Sequence, residues 1–124
     1  MSENGTIFNT GLVGIPTRLA ALAWYLALAT GTTALAATDT TAEGEITTGG
    51  LARGAATASY EASYKLLLTK SWIATADQTA INKIYVFESA GGTAPDFGNK
   101  YASTHTVLNG NSIVGTIRIT FGGG

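Results

Sequence analysis

The residues able to do chemistry in this chain are few and scattered. There is a single histidine, His105, and no cysteine, so neither a thiolate–imidazole pair nor a multi-histidine metal centre can be assembled. A Ser–His–Asp arrangement is formally open to His105, but the G-x-S-x-G elbow is missing. The run Ser103-Thr104-His105-Thr106 reads instead as strand with a hydrogen-bonded histidine. Asp39, Glu43 and Glu45 are the only charges between residues 30 and 50. Their spacing lacks the Asp-x-Asp ladder and twelfth-position Glu of a calcium loop, which leaves a solvated loop. Paired carboxylates for glycoside chemistry would have to come from eight acids, several in loops beside glycine or threonine. Sixteen glycines form no G-x-x-x-x-G-K-[ST] phosphate cradle. Trp24, Trp72 and Tyr60 could make a sugar-binding platform, although core or interface packing is the usual role of buried rings. The expectation is a protein that is not an enzyme and holds no cofactor or metal.

What must position these residues is a chain of strand signals. Two apolar runs, 66–73 and 81–87, contain no glycine or proline and are separated by a short link with Thr75-Ala76-Asp77-Gln78. They read as the two strands of a central hairpin. In the second run Lys83, Tyr85 and Phe87 share one face while Ile84 and Val86 share the other. Both faces are substantially apolar, so this is a central strand covered on both sides. One cover is the domain's own second sheet; the other is the loop at 30–50 or a neighbouring subunit. Leu19, Leu22, Ala23 and Leu26 fit a helical stripe, while a period of two puts Trp24, Leu26 and Leu28 on one face. Residues 23–29 are read as strand, with a helix over 19–29 left open, and 55–62 as a strand of small side chains. A further strand covers 100–108, and Asn109-Gly110 is the strongest hairpin-turn dipeptide in the chain. The last strand, 113–121, places Ile113, Ile117, Ile119 and Phe121 on one face and Thr116, Arg118 and Thr120 on the other. Gly115 on its apolar face implies a bend or a close approach by another backbone.

The segment 1–18, MSENGTIFNTGLVGIPTR, follows neither a helical nor a strand period. Gly11, Gly14 and Pro16 disfavour a regular element, yet Ile7, Phe8, Leu12, Val13 and Ile15 are apolar. An irregular segment with that content reads as an extended arm lying in a groove. Arg18, the apolar run after it and Ala34-Leu35-Ala36 imitate a secretory signal, but this stretch is expected to stay in the fold. The run is also too short to span a bilayer.

At 124 residues the chain supports one domain, large enough to bury a core without staples. Regular strand signals and no convincing long helix place it in the all-β class. The expected architecture is a single-domain antiparallel β-sandwich or jelly-roll-like barrel over 19–124, preceded by the arm at 1–18. Charged residues are 12% of the chain, about half the usual frequency. Net charge is −1 with no basic block, which disfavours a nucleic-acid partner. Little self-repulsion suits a chain buried against neighbours.

Several segments, taken in order, resemble a family of small virion proteins of tailed phages and prophages. They run from Trp24-Tyr25-Leu26-Ala27-Leu28-Ala29-Thr30-Gly31 through Asp39-Thr40 with Glu43, Gly50-Leu51-Ala52-Arg53 and Leu68-Thr69-Lys70-Ser71-Trp72. They continue with Ile81-Asn82-Lys83-Ile84-Tyr85-Val86-Phe87, Gly91-Gly92-Thr93 and Thr116-Ile117-Arg118-Ile119-Thr120-Phe121. Ala29 stands where the family pattern has glycine, and Tyr85 where a small residue is common. The arm lies outside the likeness. The resemblance implies a non-enzymatic structural protein at the particle surface, without a cofactor, assembled in the host cytoplasm. A capsid decoration (cement) protein fits best, with the major capsid protein or other virion subunits as partners and a trimeric or dimeric self-assembly. No membrane is involved. The alternative is a tail or fibre component acting as an attachment or carbohydrate-binding module. Ile7, Phe8, Leu12, Val13, Ile15 and Tyr85 are the expected partner-binding residues. An arm burying on the order of 300 Å² of apolar surface at about 25 cal/mol per Å² would contribute several kcal/mol before ordering costs.

Overall fold

The computed structural model describes residues 8–121. The chain is mostly β, built on two antiparallel sheets with one short helix. Strands β1 (Tyr25–Ala29), β2 (Gly54–Ala55), β5 (Gln78–Phe87) and β6 (Phe97–Val107) form one sheet in the order β2-β1-β5-β6. Strands β3 (Thr57–Glu61), β4 (Lys65–Ile73) and β7 (Ser112–Thr120) form the other in the order β3-β4-β7. The chain passes between sheets at Ala56, whose N–H donates to the Trp24 carbonyl at 2.9 Å.

Both strands of the expected central hairpin exist, but they do not pair. β4 pairs with β3 and β7, and β5 pairs with β1 and β6. Residues 74–77 therefore cross from one sheet to the other. The Asn109-Gly110 turn does the same between β6 and β7. The two crossings brace each other: the Ala74 N–H donates to the Asn111 carbonyl at 2.9 Å, and the Gly110 N–H to the Ala74 carbonyl at 2.8 Å. The Asn109 N–H donates to Asp77 Oδ1 at 2.8 Å. Gly110 adopts φ +88°, which an L side chain resists. The turn chemistry was legible; the strand partners were not, because alternation marks a buried face and not a neighbour.

The main core joins inward residues of both sheets: Leu26, Leu28, Leu66, Leu68, Ile84 and Val86 are all buried, with Trp24 and Trp72 beside them. A smaller cluster lies on the opposite face of the four-stranded sheet, made by Ala27, Ala29, Tyr85 and Phe87 under Leu35 and Ala42. The second cover on β5 is thus the loop at 30–50, as one of the two expected alternatives had it. Gly115 does mark a close approach, by side chains rather than backbone: a Cβ there would lie 2.8 Å from Trp72 Cζ3 and 2.9 Å from Ile84 Cδ1.

The expected extended arm is corrected from residue 9 onward. Asn9–Ala20 is an α-helix, α1, with Pro16 inside it. It runs through the arm boundary drawn at residue 18. Two glycines at about 1 kcal/mol each and a proline at about 3 oppose it. Tertiary burial offsets that cost: Leu12 and Pro16 are buried, α1 packs on β3 and β4, and Leu19 and Ala20 reach the main core.

Candidate functional site

The helix places the expected contact residues on different sides. Leu12 faces the protein interior and Ile15 is half-buried, so neither is free for a partner. Phe8 is 76% exposed and Val13 39%. Ile7 lies outside the described residues. Thr17 Oγ1 donates to the Val13 carbonyl at 2.7 Å, tightening the turn around Pro16. Arg18 is exposed in the last turn, its guanidinium folded back toward Gly14. The outer face of α1 is therefore a shallow surface of Asn9, Thr10, Val13, Gly14, Thr17 and Arg18, with Phe8 at its start.

Tyr85 is 2% exposed, because the loop at 30–50 covers it, so it presents no open face and borders only the cavity between that loop and the start of β6. That loop is fastened along the part of β1 that β2 leaves unpaired. The Ile46 N–H donates to the Leu28 carbonyl at 2.8 Å, and the Thr30 N–H to the Gly44 carbonyl at 3.0 Å. Ala29, at the position where the resemblance has glycine, stays in β1 and bridges Glu45. Beneath the loop, buried Lys83 faces Glu43 Oε1 at 3.5 Å, and the Thr33 N–H donates to the same oxygen at 3.3 Å. Thr33 hydrogen bonds, then the Lys83 ammonium, hold the Glu43 carboxyl below its ordinary 4.5. The Glu43 side chain lies against Gly31, where any Cβ would overlap its carboxylate.

Arg53 is a second fastening. Its guanidinium donates to Glu45 at 3.0 and 2.7 Å through Nε and Nη2, and through Nη1 to the Gly92 carbonyl at 2.7 Å. It also lies 3.3 Å from the centroid of Phe87. Such a planar fork can satisfy a carboxylate, a carbonyl and a ring at once. Trp24 and Trp72 are each 3% exposed, and their Nε1 groups donate to the Leu19 and Ala52 carbonyls at 2.7 and 2.9 Å. Neither indole offers a face to a sugar, so the platform reading loses both of its tryptophans. Trp24, Glu43, Leu51, Arg53, Trp72 and Gly92 are among the fold's internal fastenings.

One concave feature is lined by two carboxylates. Leu35, Ala36, Ala37, Asp39, Tyr85, Pro95, Asp96, Phe97 and Gly98 line a cavity of about 270 Å³ between the loop and the start of β6. Asp39 accepts the Ala36 N–H at 2.9 Å. Neither Asp39 nor Asp96 has an ion-pair partner among the described residues. Elsewhere, His105 is exposed and meets Tyr101 edge-on at 5.0 Å. Burial pushes the Tyr101 hydroxyl up. Among the described residues no three acidic or histidine side chains gather as a metal site. Comparison with protein-family models, curated proteins and solved structures finds no match to this chain.

Sequence reasoning missed the cavity. Asp39 and Asp96 are 57 residues apart, so only the crossing of the loop over β5 brings them together. For α1 a signal did exist: Leu12, Pro16 and Leu19 follow the i, i+4, i+7 spacing of a helix face.

Proposed function

We propose that this chain is a structural protein of a virus particle, a β-sandwich that decorates a capsid and reinforces the joints between its subunits without catalysing a reaction. The observation that carries this reading is the construction of α1. Leu12 and Pro16 anchor the helix to the domain, while Phe8 and Val13 project apolar surface outward from it. A helix seated on one side and apolar on the other is built to meet a neighbour. The reading also draws on the resemblance expected from the sequence. A protein fastened by Arg53, Lys83 and two buried indoles is a rigid block, and rigid blocks transmit load between subunits.

The test is addition of the purified chain to preformed shells. The expected result is saturable binding and a higher temperature of shell rupture. Phe8→Asp with Val13→Asp is expected to weaken binding while leaving the melting temperature of the free protein unchanged. A wild-type chain that ignores shells but binds cells or soluble glycans overturns the proposal in favour of an attachment module.

A further inference from the structure

We propose that the outer face of α1 docks against the acidic cavity of a second copy of this chain, with Arg18 entering between Asp39 and Asp96. This deepens the proposed function by naming the neighbour, and rests on its assignment of α1 as a contact element.

The cavity specifies its occupant. At about 270 Å³ the cavity sits at the lower end of small-ligand pockets and has room for a single long side chain. Two carboxylates at its wall without an ion-pair partner among the described residues call for a cation. Tyr85 gives an independent sign. It is nine-tenths buried and lines the cavity, yet no described residue hydrogen-bonds its hydroxyl. A guanidinium carries enough donors to serve that oxygen and both carboxylates.

The chain also specifies the donor. Arg53 and Arg118 are held by Glu45 and Glu61, and Lys83 by Glu43. Lys100 donates to the Thr32 carbonyl at 2.8 Å, and the Lys70 ammonium lies 5.2 Å from the Trp72 ring centroid. Lys65 is half-buried beside Glu61. Arg18 alone among the described cations is exposed and has no carboxylate, carbonyl or ring of its own. It stands next to Val13 and Thr17, so its docking would also cover apolar surface. α1 packs on β3 and β4 of the three-stranded sheet, whereas the cavity lies on β5 and β6 of the other. Donor and acceptor are different surfaces, so the contact is head-to-tail and generates a ring if its rotation closes.

Charge reversal tests this. In sedimentation velocity the wild-type chain is expected to self-associate with a Kd on the order of 10 µM. Arg18→Glu, and separately Asp39→Lys with Asp96→Lys, should each weaken association about tenfold or more. Mixing those two variants should restore it, because both contacts in the mixed assembly again join opposite charges. Asp96→Lys alone, at a side chain that makes no hydrogen bond within the described chain, guards against a loss caused by a damaged loop. Unchanged circular dichroism and melting temperature establish that each variant folds. A monomeric wild type, indifference to Arg18→Glu or failure of the mixture to associate would each overturn the inference. Shell binding is measured separately: a monomer that still binds shells equally well as Arg18→Glu sinks the inference and leaves the proposed function standing.

Discussion

Lys83 lies directly across the β5–β6 ladder from Lys100, and the loop at 30–50 supplies an oxygen to each. Glu43 faces Lys83, whose side chain is 2% exposed, and the Thr32 carbonyl accepts from Lys100. Like charges opposite one another destabilise a sheet, and a buried ammonium without a counter-charge costs several kcal/mol. The loop is therefore more than a cover for Tyr85 and Phe87. It gives a counter-charge to Lys83 and a hydrogen-bond acceptor to Lys100, two lysines that the strand register forces together.

The two sides of that ion pair should respond unequally. Lys83→Met removes the buried charge and leaves Glu43, 48% exposed, to water; its stability should stay within about 1.5 kcal/mol of wild type. Glu43→Gln strands the ammonium and should lower the melting temperature clearly more. The double variant should resemble Lys83→Met alone. Thermal denaturation of the three proteins decides this, and equal losses for both single variants would contradict it.

The pH dependence follows from two carboxylates. Thr33 hydrogen bonds and Lys83 lower the Glu43 pKa, and the Arg118 hydrogen bond and charge lower that of Glu61, both from an ordinary 4.5. Below that value the unfolded chain takes up protons that the folded chain still refuses, so folding weakens as pH falls. Their stabilising contribution is complete above the unfolded value and disappears as pH drops through the folded ones. Melting temperature should therefore be level near neutrality and fall below about pH 4.5. The fall should be shallower in Glu43→Gln and in Glu61→Gln.

How much of this was legible in the sequence depends on the range of the interaction. Strands β1, β4, β5 and β7 follow from local apolar runs, and the two-sided burial of β5 from the mixed faces around Ile84, Tyr85 and Phe87. Strand partnership was not legible: residues 74–77 look like a hairpin link but carry the chain to the other sheet. α1 was masked because Gly11, Gly14 and Pro16 argue against a helix locally, while burial of Leu12 and Leu19 against distant strands decides the outcome. Lys83 and Arg53 gave no sign of their partners, since those contacts depend on where a loop with few charges comes to rest.

Arg53 should tolerate no substitute. Its bidentate contact with Glu45, its bond to the Gly92 carbonyl and its stacking on Phe87 all need the guanidinium plane. Arg53→Ala should cost about 2–4 kcal/mol, and Arg53→Lys should recover less than half of it, because an ammonium cannot fork or stack in the same way. Urea denaturation gives both values, and full recovery by lysine would contradict the geometry.

Gly115 and Gly91 form a matched pair. A Cβ at Gly115 meets Trp72 and Ile84, whereas one at Gly91 meets nothing within 4 Å. Gly115→Ala should cost about 1–3 kcal/mol by overpacking, and Gly91→Ala should change stability by no more than about 0.5. Trp72 fluorescence should shift in the first variant only.

Adjacent residues of α1 give the sharpest contrast. Leu12 is buried and Val13 points outward, although a sequence reading treats them as two equivalent apolar residues of an arm. Leu12→Ala should cost about 2–5 kcal/mol, the range for a core leucine, and its effect on shell binding should follow from loss of the seated helix. Val13→Ala should leave the free protein within about 0.5 kcal/mol of wild type, yet still weaken association measured by sedimentation. If α1 were merely a cap on β3 and β4, the second variant would change neither quantity. If the segment were an extended arm, the two substitutions would have similar effects on stability. Only a helix with one seated and one open face separates them in opposite directions, stability through Leu12 and contact through Val13.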